Sequence, residues 1–427
     1  MPAPIIKVDH FGDYNKGTKY LNKNEFVKAI QFLKREANKN EFKECLLNLG
    51  NAYKAVGDWE RARVCYEKAA SRDIPSANGS FRDYDLAISN LGLWYYAHGD
   101  DVKAIELYRQ ALEMNPHLAD AVWNYASAIL RQWCSGIVTD LVSAWKMYEF
   151  RFWRGAPVPI DKSVELWDGF TRVPCIVVLA EQGMGDKIMW GRWIKQLSAY
   201  TDRIVVQTPK ELEMIFSDWE TTQAPANTIP GAVGIPICSL GQRFLEVPPG
   251  DWLRGKFRGT HEFDLWNLNV GIEWAGSITH ANNRNRSITP ERFVKLAKDT
   301  GVNLYSFRES GPRGINYLNS NTDWNKTIDY LLSLDLLITV DTSIAHMAGS
   351  LGVEVWLLQP SIETDFRWGN DSMGEKNIWY DSVKIIRNPN NWDKVFEVVR
   401  KKLEAKKEEL VQLRVDQGRL ELEGCDA

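Results

Sequence analysis

One pattern that occurs twice in the first third of the chain constrains the fold more than any other feature. Leu46, Leu49, Gly50 and Tyr53, followed by Ala62, Tyr66 and Ala69, are matched by Ile88, Leu91, Gly92 and Tyr95, then Ala104, Tyr108 and Ala111, with Pro116 closing the second copy. The apolar positions recur at helical spacing, so each copy reads as a helical hairpin with one buried stripe per helix. Gly50 and Gly92 remove the side chain where two helices must touch, Ala62 and Ala104 do the same on the opposing helix, and the tyrosines fill the space between. The two glycines stand 42 residues apart, and the stretch from Asp73 to Tyr84 holds the surplus as a loop.

A hairpin of this composition resembles the tetratricopeptide repeat, whose usual period is about 34 residues. A third, irregular unit runs from Val122 through Tyr125 and Ala126 to Ala144 and Tyr148, and residues 24–37 look like the second helix of a degenerate first repeat. Stacked hairpins bury their faces only against neighbours. An α-solenoid is therefore expected over residues 1–155, leaning on the C-terminal part of the chain.

The texture changes near Gly155, Pro157 and Pro159, which read as a linker. Beyond it, strands at Cys175–Ala180 and Arg203–Gln207 are each followed by a helix, at about 186–200 and 210–218, before a Pro- and Gly-rich stretch from Pro225 to Gly250. A second series comes next, with strands at Leu268–Glu273, Val302–Phe307, Leu336–Val340 and Glu354–Leu358. Its helices fall at Pro290–Thr300, Thr327–Ser333 and Ser343–Leu351, with a long one over about 391–413. Leu403, Leu410 and Leu413 space that last element as a closing helix rather than a coiled coil. Alternation of apolar strands with helices gives parallel sheets covered on both faces. The expected class is α + α/β: the solenoid, then two Rossmann-like lobes, 156–265 and 266–427, facing a cleft. In open sheets of this kind ligands sit at the C-terminal ends of the strands.

Composition narrows the function. The 427 residues carry 52 Lys and Arg against 56 Asp and Glu, and a net charge of −4 gives no basic field for nucleic acid or an anionic membrane. No apolar run is long enough to span a bilayer, and the N-terminal MPAPIIKVDH lacks a signal-peptide pattern. Six cysteines without a CxxC pair read as the reduced thiols of a cytoplasmic protein. The six histidines show no metal-ligand spacing with Cys or acids, so no metal is expected. Asp83-Tyr84-Asp85 has the form of a metal-binding DxD but falls in the loop between repeats, and neither GxSxG nor a P-loop occurs. The 18 tryptophans suit a core as well as a sugar-binding surface.

Three stretches place chemistry at strand ends. In Glu181-Gln182-Gly183-Met184-Gly185-Asp186 the glycines let backbone approach a ligand at a helix start. The third glycine of a dinucleotide fingerprint is absent, since Ile188 stands in its place. Asp186 there is either an N-cap or a general base at the lip of the cleft. In the second stretch, Asp341 ends an apolar strand, and Thr342, Ser343 and His346 share one face of the following helix. That set reads either as a phosphate cradle or as a capped helix with a half-buried histidine. The third joins Gly271-Ile272-Glu273-Trp274-Ala275-Gly276-Ser277 to a loop with Arg284 and Arg286, which would pin a diphosphate bidentately or stand in solvent.

The order of these pieces resembles tetratricopeptide proteins fused to a glycosyltransferase of family 9, the heptosyltransferases. The matching segments are YEFRFWRGAP (148–157), LAEQGMGDKIMWGRW (179–193), VGIEWAGS (270–277), NNRNRSI (282–288), LDLLITVDTSIAHMAGSLGVEVWLL (334–358), FRWG (366–369) and WYDSVKIIRNPNNW (379–392). The resemblance implies a GT-B fold, with the first lobe taking an acceptor and the second a nucleotide-sugar. It implies Asp186 as catalytic base and Asp341, Thr342, Ser343 and His346 facing the donor, with Arg284 or Arg286 in place of the family's phosphate-side lysine. Gln182, Gly183, Gly185, Trp274 and Ser277 would line the cleft. The implied reaction is metal-independent, inverting transfer of a sugar to a hydroxyl of a glycan or protein, with no cofactor beyond the nucleotide-sugar and a protein segment as partner in the repeat groove. The alternative is a peptide-binding repeat scaffold carrying a degenerate transferase module.

Overall fold

The computed structural model describes residues 12–77, 84–137, 139–154, 160–264, 266–278, 282–320, 323–388 and 391–416. The linker residues Gly155, Pro157 and Pro159 lie outside these ranges, as do Asp83, His10, His280 and Cys425 and the side chain of Leu413. The chain divides into two compact units, Met1–Trp133 with Ile137–Val158, and Cys134–Gly136 with Pro159–Ala427.

The first unit is all helical: α1 (Gly12–Asn22), α2 (Phe26–Lys39), α3 (Lys43–Ala55), α4 (Trp59–Ala70), α5 (Asp85–Ala97), α6 (Asp101–Met114), α7 (Ala119–Cys134) and α8 (Leu141–Tyr148). A methyl group on Gly50 would lie 2.5 Å from the Tyr66 ring, and one on Gly92 3.0 Å from Tyr108. The glycine–tyrosine contacts therefore set how closely α3 meets α4 and α5 meets α6. Gly17 stands equally near Leu33, which makes α1 and α2 a complete hairpin. The sequence showed only its second helix, because GDYNKGTKYLN carries little apolar stripe. Two of the second helices open alike: Gly57 and Gly99 take positive φ (86° and 85°), and Asp58 and Asp100 then cap α4 and α6.

The second unit holds two parallel sheets. The first lobe contains β1 (Cys175–Leu179), β2 (Ile204–Gln207), β3 (Glu220–Thr222) and β4 (Ala232–Pro236), in the order β3-β2-β1-β4. The second contains β5 (Asn269–Glu273), β6 (Asn303–Ser306), β7 (Asn316–Tyr317), β8 (Leu336–Thr339), β9 (Val355–Gln359) and β10 (Val383–Arg387), in the order β10-β9-β8-β5-β6-β7. In both sheets the first strand of the lobe lies inside, with later strands added on either side, as in a doubly wound fold. The first lobe is a four-stranded, smaller version of that arrangement. This is the expected class, helical repeats followed by a GT-B-type pair of Rossmann-like lobes.

The helices of this unit are α9 (Met184–Trp190), α10 (Leu240–Phe244), α11 (Asn283–Arg286), α12 (Glu291–Thr300), α13 (Trp324–Ser333), α14 (Ser343–Leu351) and α15 (Trp392–Asp416). The helix expected over 186–200 is α only to Trp190 and continues as a 3-10 helix from Gly191 to Ala199. The change falls at Gly191, where the Trp252 and Phe216 rings occupy the space a side chain would need. The segment expected to be a helix over 210–218 is likewise 3-10, Lys210–Phe216. In the closing helix Leu403 is fully buried and Leu410 packs on the second lobe's core, as the leucine spacing indicated.

Candidate functional site

In a doubly wound sheet the ligand crevice opens where neighbouring strands send their connections to opposite sides. In the second lobe that point lies between β5 and β8, which pair through Glu273 and Thr339 at their C-terminal ends. A cleft of about 540 Å³ opens there, bounded by the turns after β5 and β8 and by the start of α9 from the first lobe. This is ample for a nucleotide-sized ligand.

On the first-lobe side the chain leaves β1 through a tight turn in which Gln182 takes a left-handed φ of 55°. Buried Lys187 gathers that turn by donating to the carbonyls of Gln182 (2.8 Å), Glu181 (3.3 Å) and Gly183 (3.4 Å). Burial holds the Lys187 pKa below the ordinary lysine value. Gly183, not Asp186, is the N-cap of α9. This corrects the N-cap reading: Met184 is already helical, so Asp186 falls at the third position, where its Oδ2 accepts the Gly183 N–H at 3.1 Å. Its Oδ1 is thereby turned toward the other lobe, where it accepts from Arg367 at 2.5 Å.

Arg367 belongs to a 3-10 turn, Phe366–Trp368, between β9 and β10. Its Nη1 meets both oxygens of Asp365 at 2.9 Å, so one guanidinium joins a carboxylate from each lobe. The turn is fixed from behind. Trp379 donates its indole N–H to the Arg367 carbonyl (2.7 Å), and the Trp379 carbonyl accepts from Arg192 of the first lobe (2.7 Å). The Trp379 ring packs against Trp190 and Trp193, which stack at 4.9 Å.

On the second-lobe side, Thr342 caps α14, and its hydroxyl lies 3.1 Å from that of Thr339. Thr342, Ser343 and Ile344, at the start of α14 where backbone N–H groups lack helical partners, line the cleft. Arg286 reaches it from α11, donating from Nη1 to the Asp341 carbonyl at 2.7 Å and standing 3.8 Å from the Asp341 carboxylate. Its side chain is 9% exposed, and its Nε is buried without a hydrogen-bond partner. A methyl group on Gly276 would collide with Arg286 Nη2, so the guanidinium passes through the space that glycine leaves. Nearby, Arg308 donates to Glu273 at 2.7 Å.

His346 closes the inner wall. It stacks on Trp368 at 5.0 Å, its Nδ1 lies 3.0 Å from the Tyr380 hydroxyl, and Gly185 of α9 packs against its ring. Burial, helped by the Arg367 charge, lowers its pKa to about 3, so the ring is neutral near pH 7. Burial and the neighbouring Asp365 charge raise Asp341 to about 6. Asp365 is also desolvated, but Arg367 holds it below the ordinary carboxylate range. Burial raises Asp186 and Glu273 despite their arginine partners. Perturbed carboxylates gathered in one cleft are what an acid–base site requires.

The cleft thus unites Gly183, Gly185, Asp186, Ser277, Arg286, Asp341, Thr342, Ser343 and His346. Three residues named from the sequence fall elsewhere. Trp274 lies in the second lobe's core with the Arg308 guanidinium over its ring, because alternation along the strand end turns Glu273, not Trp274, toward the cleft. Gln182 is exposed, its backbone rotated outward by the positive φ, and Arg284 is exposed on α11, whose turn sends only Arg286 inward. Asp365, Arg367, Glu273, Arg308, Trp324 and Thr327 also line the cleft. The FRWG and VGIEWAGS segments contained Arg367 and Glu273, but no spacing rule singled them out. Among the described residues no group of three or more His, Cys, Asp or Glu is placed to hold a metal ion.

Residues 43–116 match the tetratricopeptide repeat family model, a span that holds α3 to α6. That segment consists of tetratricopeptide repeats. Among solved structures the chain is similar to MamA, with 21% identity over 32% of this chain and 73% of that one and a TM-score of 0.26. It is also similar to a tetratricopeptide repeat protein from Parabacteroides merdae (19% identity, 32% of this chain and 50% of that one, TM-score 0.26). A mutant of the Thermobaculum terrenum O-GlcNAc transferase aligns with 12% identity over 96% of this chain and 92% of that one, with a TM-score of 0.34. No curated protein matches the chain. Among the described residues no helix is long and apolar enough to cross a membrane.

Proposed function

We propose that the second unit is an inverting, metal-independent glycosyltransferase resembling family 9, and that it takes a nucleoside diphosphate sugar at the β5–β8 switch point. The observation that carries this reading is Arg286, a buried guanidinium with an unpartnered N–H beside the open N-terminus of α14. Its ion pair with Asp341 is long, at 3.8 Å, which leaves room for a closer anion to complete it. A diphosphate does so, with Arg286 and the α14 N–H groups supplying the positive charge that a metal supplies in other transferases.

Asp186, at the first-lobe lip, takes the proton from an acceptor hydroxyl as that oxygen attacks the anomeric carbon. The carbon–oxygen bond to the diphosphate breaks, its electron pair leaves with the nucleoside diphosphate, and configuration inverts. The acceptor is a hydroxyl of a glycan or of a protein, the latter guided by the repeats, in a cytoplasmic setting that suits the buried thiols of Cys45, Cys65, Cys134 and Cys175. Neutral His346 lines the donor side as a shape-determining wall rather than as a charge.

The test is single-turnover transfer or donor hydrolysis over a panel of nucleotide-sugars, with Asp186→Asn alongside wild type. The reading expects at least a hundredfold loss of rate in Asp186→Asn with donor affinity kept. Equal rates would remove Asp186 as the base. Failure of every nucleotide-sugar to bind would leave the repeat scaffold with an inert module.

A further inference from the structure

Arg367 is buried, belongs to the second lobe, and stands 2.5 Å from Asp186 of the first. Its side chain is 8% exposed, a position an arginine occupies only when its charge is paired there. Two carboxylates share the guanidinium: Asp365, two residues away in the same turn, and Asp186 across the cleft. Asp365 engages Nη1 and Asp186 engages Nη2, so the guanidinium spans the cleft with one terminal nitrogen on each lobe's carboxylate.

We infer that Arg367 is a positioning residue that holds the Asp186 carboxylate in one rotamer, and so joins the base on one lobe to the donor site on the other. The inference rests on the proposed role of Asp186 and adds a residue to it. The guanidinium occupies Oδ1, and the Gly183 N–H occupies one side of Oδ2. Carboxylate oxygens keep further lone pairs, so the proton-accepting direction is what remains on the cleft side. The backbone that carries the clamp is tethered from behind, where the Trp379 indole holds the Arg367 carbonyl and the Trp379 carbonyl accepts from Arg192. An arginine fork fixes orientation in a way that a lysine does not.

The charged and titratable groups around Asp186 are Arg367 and Asp365 from the turn after β9, Glu181 and Lys187 from its own turn and helix, and His346 from α14. His346 is neutral and Lys187 is spent on backbone carbonyls. Arg367 is therefore the cation that favours the ionised form of Asp186, and its removal leaves burial and the two neighbouring acids opposed chiefly by the Gly183 N–H.

The experiment titrates Asp186 directly by 13C NMR of aspartate carboxyls in the full chain, with the Asp186→Asn spectrum assigning the signal. Wild type is compared with Arg367→Gln and Arg367→Lys. We expect the Asp186 midpoint to rise by about one pH unit or more in Arg367→Gln and by less in Arg367→Lys, with the near-ultraviolet tryptophan spectrum unchanged. Where transfer is measured, the acid limb of kcat/KM moves up with it, kcat falls at least tenfold, and donor KM stays within about twofold. An Asp186 midpoint that does not move in a folded Arg367→Gln variant overturns the inference. Should Arg367→Gln not fold, Arg367→Lys carries the same titration, and an unmoved midpoint there overturns it. The titration needs no substrate, so a failure of the transferase reading shows separately, as the absence of any nucleotide-sugar binding.

Discussion

Gly185 lies so close to His346 that a methyl group placed on it would stand 2.9 Å from the ring's Cδ2 and 3.4 Å from the Cα of Ser343. The contact joins the first turn of α9 to α14, and so the base side of the cleft to the donor side. A glycine is demanded by contact, not by backbone conformation.

Gly185→Ala is therefore expected to push α9 from α14. Overpacking at a tight contact costs about 1–3 kcal/mol, read as a lower chemical-denaturation midpoint. Transfer should fall further than stability, since Asp186 directly succeeds Gly185. Unchanged stability and rate would show that the two helices are free to separate.

Arg286 and Gly276 give a paired prediction. Gly276→Ala would intrude on the Arg286 guanidinium and displace it from the cleft, so both Gly276→Ala and Arg286→Ala should weaken nucleoside diphosphate binding by about 10- to 100-fold, the size of lost hydrogen bonds to a charged group. Isothermal titration calorimetry checks it. Weakening in Arg286→Ala alone would place the methyl group harmlessly.

Asp341 and His346 should move stability with pH in opposite senses. Asp341, raised from 3.8 to about 6, binds its proton more tightly in the fold, so its contribution is full below about pH 4 and is lost as pH rises through about 6. Asp341→Asn should then raise the melting temperature by a few degrees near neutral pH and by less at acid pH. His346, lowered from 6.5 to about 3, favours the fold as the neutral ring, so stability is lost as pH falls from about 6.5 toward about 3. His346→Gln should flatten that acid decline. Melting curves from about pH 3.5 to about pH 8 test both signs.

The indole of Trp379, wedged against Trp190 and Trp193, donates to the Arg367 carbonyl, while the Trp379 backbone carbonyl accepts from Arg192. Trp379→Leu should cost about 2–4 kcal/mol through the cavity and the lost indole hydrogen bond to the Arg367 carbonyl. The loss should be visible in thermal melts. A variant as stable as wild type would mean that the lobes hold together without this clasp.

Legibility in the sequence depended on periodicity. The stretch Ser343–Leu351 matched its helix residue for residue, because Ile344, Met347, Ala348 and Leu351 form an unbroken stripe closed by Gly352 in a left-handed conformation. Gly50 and Gly92 disclosed the repeat contacts for the same reason. β3 and β4 were invisible: Glu220–Thr222 is a short polar edge strand, and Ala232–Pro236 contains a glycine and ends on a proline. Asp186, Arg286 and Asp341 were legible as polar residues at strand ends or helix starts. Arg367 and Asp365 were not, since they sit in an irregular connection whose path is set by Trp379 and by Arg192 far away in sequence. Choosing between Arg284 and Arg286 depended on the rotation of one short helix, α11, which carries no periodic signal.

The central claim is that the cleft between β5 and β8 is a nucleoside diphosphate site completed by Arg286. Calorimetric titration of the full chain with ADP, GDP, UDP and their sugars, in wild type and Arg286→Ala, tests it most directly. The account predicts saturable binding of one nucleotide class, unaffected by a chelator and weakened at least tenfold in Arg286→Ala. Binding that Arg286→Ala leaves intact, or none by any nucleotide, would contradict it.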